Sequence, residues 1–249
     1  MPGTAAAAVH TRAADRPPAP APERTSSVLL MRVVIAGGHG QIALRLERIL
    51  SARGDTVLGL IRDPAHAGDV TAAGADPILC DLEAAGVGEL AAHLAGADAV
   101  VFAAGAGPGS GAARKDTVDR AASVLLADAA ERAGVRRFLQ VSSMGAGEPP
   151  RPGTDDVWAA YVKAKGAAED DLRGRDLDWT ILRPGRLTDD PGTGRVTLAA
   201  PPVPRGAVSR DDVAAVLTAL LDTPATRRTL ELVGGETPID EAVPRGAGS

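Results

Sequence analysis

The sequence predicts an α/β chain folded as a doubly wound parallel sheet, and three observations carry that expectation. Short apolar runs alternate with amphipathic helical stretches along most of the chain. The runs are continuous in their hydrophobicity, as strands covered on both faces must be. Hydrophobic residues make up 45% of the 249 residues but aromatic ones only 2%, so Ala, Val, Leu and Ile must build the core.

The elements follow in order. "MRVVIAG" from Met31 is an apolar run closed by glycine, and "QIALRLERIL" after it places Ile42, Leu46, Ile49 and Leu50 on one helical face. "DTVLGLIRD" and "ADPILCDL" read as the second and third strands, and "ADAVVFAAGAG" as the fourth. A long helix over residues 115–133 leads into "RRFLQVSSMG", the fifth strand. The helix carrying Tyr161 and the strand "DLDWTILRPG" come next. "SRDDVAAVLTALL" opens with a capping box, Ser209 with Asp212, and turns Val213, Val216, Leu217 and Leu220 inward. "TLELVGG" supplies a late strand. The Gly/Pro-rich pieces 105–111, 145–154 and 184–194 are expected to be loops within one domain, residues 31–249, with a small C-terminal extension on the substrate side. Residues 1–30, rich in Ala and Pro and lacking an apolar signal core, are expected to be a disordered extension, or an upstream stretch before a true start at Met31.

Composition narrows the function. A net charge of −5 with no basic stripe argues against a nucleic-acid surface, and no run reaches the length of a membrane span. The single cysteine, Cys80, excludes an internal disulfide and a multi-cysteine metal cage, and is expected to be a buried strand residue. His10, His39, His66 and His93 show no metal-ligand spacing, so no metal is expected. A reducing cytoplasmic setting, a small-molecule substrate and a monomeric or homodimeric state complete these expectations.

Between the first strand and its helix lies "AGGHGQIA", with Gly37, Gly40 and Ala43 spaced G-x-x-G-x-x-A. Small residues there, Gly38 included, let backbone approach a diphosphate, and the N–H groups of the helix start, at Gln41 and Ile42, point at it. His39 lies in the same turn, facing either the cofactor or solvent. The second strand ends in Arg62 followed by Asp63. Arginine at this site favours a ribose 2′-phosphate where an acid would favour a free hydroxyl, so NADP(H) is expected over NAD(H). Asp81 and Leu82 fall where an adenine ring would be edged, and Ala104 and Gly105 where the ribose would rest.

Tyr161 is the only tyrosine, and Lys163 and Lys165 are two of only three lysines. Tyr161 and Lys165, four apart, share a helical face, where an ammonium favours the phenolate and makes a phenol usable as an acid or base at neutral pH. Lys163 faces elsewhere and reads as solvated. A hydroxyl from Ser142 or Ser143, after the fifth strand, could orient a substrate carbonyl. Trp158 is expected to pack or to border the cleft.

Taken together, "GGHGQIA", "IRDP", "CDL", "VSSM", "YVKAK" and "LRPGRLTDDPGTG" resemble the short-chain dehydrogenase/reductase superfamily. The likeness is to its atypical NAD(P)-binding branch, which includes NmrA-like proteins and the flavin/biliverdin-IXβ reductases, and it runs from Met31 to Val243. The resemblance implies a Rossmann fold, with Tyr161 as acid, Lys165 as ribose clamp and Ser143 as carbonyl orienter. It also implies that the turn from Arg183 through Pro184 to Gly185 passes beside the nicotinamide. Ala43 stands where the third glycine of the pattern falls, and Met144 where extended members place the acting hydroxyl. The function expected is NAD(P)H-dependent hydride transfer to or from a small carbonyl, quinone or flavin-type substrate. The alternatives are a non-catalytic NADP(H)-binding redox sensor and an NAD-dependent epimerase.

Overall fold

A computed structural model describes residues 30–105, 115–149, 153, 155–223 and 227–243. The expected extension over residues 1–30 therefore lies outside the described residues, apart from Leu30. Strands β1 (Arg32–Ala36), β2 (Thr56–Ile61), β3 (Asp76–Leu79), β4 (Ala99–Phe102), β5 (Arg137–Val141), β6 (Asp178–Pro184) and, late in the chain, β10 (Arg228–Gly234) run parallel in the order β3-β2-β1-β4-β5-β6-β10. Their crossovers are the helices α1 (Gln41–Arg53), α2 (Ala67–Ala72), α3 (Val87–His93), α4 (Ala122–Ala133), α5 (Asp156–Arg173) and α6 (Arg210–Leu221), and a short α7 (Ile239–Ala242) follows.

The two-residue period of the strands divides the core. In β1, Val33 and Ile35 pack on one face with Leu46 and Leu50 of α1 and Val213 and Leu217 of α6. Val34 and Ala36 pack on the other with Leu90 of α3 and Leu126 of α4. Both faces are thus covered, which is why the strands read as unbroken apolar runs. Helix α1 stops at Gly54, whose φ of 99° lies in the left-handed region that closes helices at little cost to glycine.

The segment after β6 departs from the expected loop. β7 (Arg186–Thr188) pairs in parallel with β9 (Ala207–Ser209) as a separate two-stranded sheet. β8 (Arg195–Ala199) joins the main sheet antiparallel to β10 and takes β11 (Thr237–Pro238) on its other edge. These strands are two to five residues long and distant in sequence from their partners, so no local period betrays them. The capping box is also half of what was expected. Ser209 accepts the N–H of Asp212 at 3.0 Å, but the Asp212 carboxylate accepts from Thr193 N–H (3.0 Å) and Gly194 N–H (2.8 Å), fastening the preceding loop to α6.

Glu47 interrupts the apolar face of α1. It is fully buried against β2, with Oε1 only 2.7 Å from where a Cβ on Gly59 would stand, and among the described residues neither carboxylate oxygen has a hydrogen-bond partner. Burial pushes its carboxyl up from 4.5 to about 8, with Arg48 offsetting part of the effect. Below about pH 4.5 the group is protonated in folded and unfolded chains alike. As pH rises from there toward 8 only the unfolded chain releases the proton, so stability falls across that window. Glu47→Gln cannot ionise and should gain on the order of 3 kcal/mol on the parent between pH 5 and pH 8 in denaturant unfolding. Parallel pH profiles for the two proteins would contradict a neutral buried Glu47.

Candidate functional site

The crossovers from β1 and β4 leave in opposite directions, and between the carboxyl ends of these strands a cleft of about 270 Å³ opens. Gly37, His39, Gly40, Arg62, Asp81, Leu82, Ala104 and Gly105, all singled out in the sequence, line it. Gly37 has φ 84°, and a Cβ there would stand 2.6 Å from the Ala104 Cα. A Cβ on Gly38 would stand 2.7 Å from the Gly59 Cα, and the Gly38 N–H donates to the Leu60 carbonyl at 2.9 Å. Gly40 donates back to the Gly37 carbonyl at 2.8 Å and becomes the N-cap of α1. Among the described residues no side chain caps that helix start, and no acidic residue lies in its first turn. Its first N–H groups, those of Gln41 and Ile42 among them, therefore have no partner within the helix and meet no local negative charge. The exposed Gln41 side chain accepts from Arg45 Nη1 at 2.9 Å. A diphosphate fits this turn, because Gly37, Gly38 and Gly40 add no side chain to crowd it and the helix-start N–H groups and the positive end of the dipole remain.

At one end of the cleft, Arg62 is half-exposed and reaches Glu83 at 3.4 Å, a loose pair that leaves the guanidinium at the mouth. Asp63 turns away. Its Oδ1 accepts the Ala65 N–H at 2.9 Å and caps the 3-10 turn Pro64–His66. That turn carries His66, whose ring stacks on His39 at 3.6 Å, while His39 Nε2 lies 2.8 Å from the Asp69 carboxylate. The sequence did not flag His66 as a cleft residue, since nothing local links positions 39 and 66. Cys80 is buried in the same wall, and burial, with the carboxylates of Glu89 and Asp81, pushes its thiol up.

At the carboxyl ends of β4 and β5, α5 brings in Tyr161 and Lys165. Asp155 caps α5, accepting from Val157 N–H at 2.6 Å and Trp158 N–H at 3.1 Å. The Tyr161 ring is half-buried, 5.2 Å from that of Trp158. Lys165 lies one turn on, its Nζ 5.9 Å from the Tyr161 ring and 5.6 Å from that of Phe102, the last residue of β4. The ammonium is buried. It pairs with Asp119 Oδ1 at 3.2 Å and donates to the Val141 carbonyl, also at 3.2 Å. Asp119 comes from the π-helical turns Lys115–Ala121 that precede α4, and its carboxylate approaches to 3.3 Å of where a Cβ on Gly105 would stand. The contact of Asp119 with Lys165 depends on how the two helices pack, and no local pattern in the sequence discloses it. Lys163 is exposed, as expected.

The serines divide. Ser142 is buried and donates to Glu169 Oε1 at 2.5 Å, within a network in which Arg183 Nη2 meets Glu169 Oε2 at 2.5 Å. Ser143 is half-buried and, among the described residues, its hydroxyl reaches only the Met144 carbonyl, at 3.3 Å. Met144 is buried and packs with Val203 and Val233. Pro184, last in β6, accepts the Met144 N–H at 3.0 Å, which sets the turn of residues 183–185 beside Ser143.

A family model described as NAD(P)H-binding matches residues 37–224. The chain is 37% identical over 215 residues to the uncharacterized sugar epimerase YhfK of Bacillus subtilis, which covers 86% of this chain and 99% of the relative. A solved protein from Bacillus halodurans, assigned provisionally as an NAD-dependent epimerase/dehydratase, is 33% identical with a TM-score of 0.78, over 86% of this chain and 98% of its own. ChuY, an anaerobillin reductase from Escherichia coli O157:H7, is 25% identical with a TM-score of 0.70, over 82% and 97% respectively. Family model and relatives alike span the glycine turn, the Tyr161 helix and the strands beyond it, and this chain belongs to the NAD(P)H-binding family.

Proposed function

We propose that this protein is an NADPH-dependent reductase of the short-chain dehydrogenase/reductase type, acting on a small carbonyl, quinone or flavin-type acceptor. The observation that carries this reading is the pairing of Tyr161 with a buried Lys165 at the carboxyl ends of β4 and β5, on the sheet edge where the glycine turn opens. When bound, the nucleotide supplies the hydride. The turn from Gly37 to Gly40 and the start of α1 hold its diphosphate, and Arg62 takes the 2′-phosphate, a role that Asp63 cannot oppose while it caps its own turn. Tyr161 gives a proton to the substrate oxygen. Lys165 donates to the Val141 carbonyl and stays within ion-pair range of Asp119, which leaves it a donor for a ribose hydroxyl near the phenol. Ser143, whose hydroxyl makes only a long contact, orients the acceptor, whereas Ser142 is committed to Glu169.

A second reading, an epimerase that keeps its NAD(H), is favoured by the 37% and 33% identical relatives. Against it, the stretch between β6 and α6 folds into the small β7–β9 sheet and β8, little material with which to enclose a sugar nucleotide. Turnover separates the two. The purified protein should oxidise NADPH over many cycles with at least one acceptor from a panel of quinones, flavins and simple aldehydes. Tyr161→Phe should lower kcat by about 10²–10⁴ with NADPH affinity by calorimetry unchanged. Protein that carries NAD(H) through purification and oxidises no added NADPH would favour the epimerase. Arg62→Ala should weaken NADPH binding by roughly 10–100-fold, the worth of a charge-assisted bond, and leave NADH binding within about twofold. Equal losses for both nucleotides would remove Arg62 from the 2′-phosphate.

A further inference from the structure

We propose that Cys80, Glu89 and His93 form a binding site for a divalent transition cation of the zinc type, separate in its chemistry from the nucleotide contacts. Cys80 directly follows β3, where its backbone N–H donates to the Ile61 carbonyl at 2.7 Å and fixes the residue against β2. Helix α3 then presents Glu89 and His93, four apart and so on one face. The thiol sulfur, a carboxylate oxygen and an imidazole nitrogen lie within 4.8 Å of one another. In a tetrahedral zinc centre with bonds of about 2.0–2.3 Å, neighbouring donors stand roughly 3.5 Å apart. Closing the site thus asks each side chain to move on the order of 1 Å, and two of the three are placed to do so: Glu89 is exposed and His93 half-buried, while Cys80 stays fixed. Among the described residues, neither the Glu89 nor the His93 side chain has a hydrogen bond or ion pair that binding would have to break.

The donor set selects the cation. Calcium and magnesium take oxygen ligands, whereas one thiolate, one imidazole and one carboxylate suit zinc and leave a fourth position for water. On binding, the sulfur–metal bond replaces the S–H bond, the proton passes to solvent, and no oxidation state changes. The four histidines do not disclose the site by their spacing because only one of them belongs to it. Cys80 also lines the cleft, so the ion would brace the wall formed by residues 80–82 from outside.

Cobalt(II) tests the proposal on the full-length chain. The expected result is a thiolate-to-cobalt charge-transfer band in the near ultraviolet, with the intense visible bands of a four-coordinate ion, both displaced by one equivalent of zinc. Cys80→Ser should abolish the charge-transfer band. His93→Ala and Glu89→Gln, at positions that are not fully buried, should each weaken zinc binding at least tenfold without touching the fold. His66→Ala, which alters the other histidine cluster, should leave the cobalt spectrum unchanged. A weak six-coordinate spectrum, zinc uptake undiminished in both His93→Ala and Glu89→Gln, or loss of the band in His66→Ala would overturn the assignment.

Discussion

The closeness of three backbones at the top of the sheet is the constraint on which the rest depends. Gly37 lies so near Ala104, and Gly38 so near Gly59, that a single methyl group on either glycine would collide with main-chain atoms. Because these contacts are backbone on backbone, no rotamer change could relieve them. They draw the turn after β1 down between β2 and β4, aim the start of α1 across the sheet edge, and leave the cleft open to one side. The uncapped helix start, the placement of Arg62 at the mouth and the shelf of Ala104 and Gly105 all follow from that approach.

Charge is managed differently at the two ends of this edge. Near β5 and β6 the buried charges come with partners: Lys165 with Asp119, and Glu169 with Arg183 and the Ser142 hydroxyl. Removing one member of such a pair strands the other in a low-dielectric interior, so each pair acts as a unit, and Asp119 with the Val141 carbonyl holds Lys165 in place. Under the glycine turn, Glu47 has no partner among the described residues and stays neutral instead. The Tyr161 end of the sheet edge is braced by ion pairs, while the glycine-turn end rests on small residues and one protonated acid.

Much of this was legible before any coordinates. The order of strands and helices, the inward stripes of α1 and α6 and the glycine turn all show in periodicities and dipeptides a few residues long. Arg62 could be picked out because its distance from the glycine turn is set by one helix and one strand. Less legible were β7, β8, β9 and β11, whose pairing is wholly non-local, and the loop backbone that Asp212 accepts from besides the Ser209 hydroxyl. Ser142 and Ser143 looked equivalent as neighbours. They point to opposite sides of an extended segment, and only one of them meets Glu169.

The sequence by itself determined the doubly wound α/β fold, the position of the glycine turn after β1 and the helix that carries Tyr161 and Lys165. Each of these rests on interactions between residues near one another along the chain. Only the tertiary structure decided that Lys165 is paired with Asp119, that Asp63 caps its own turn while Arg62 stays at the cleft mouth, that His39 stacks on His66, and that Cys80 faces Glu89 and His93. Those outcomes turn on distances of a few ångströms between separate elements, set by how helices and strands pack, and no local pattern of residues encodes them.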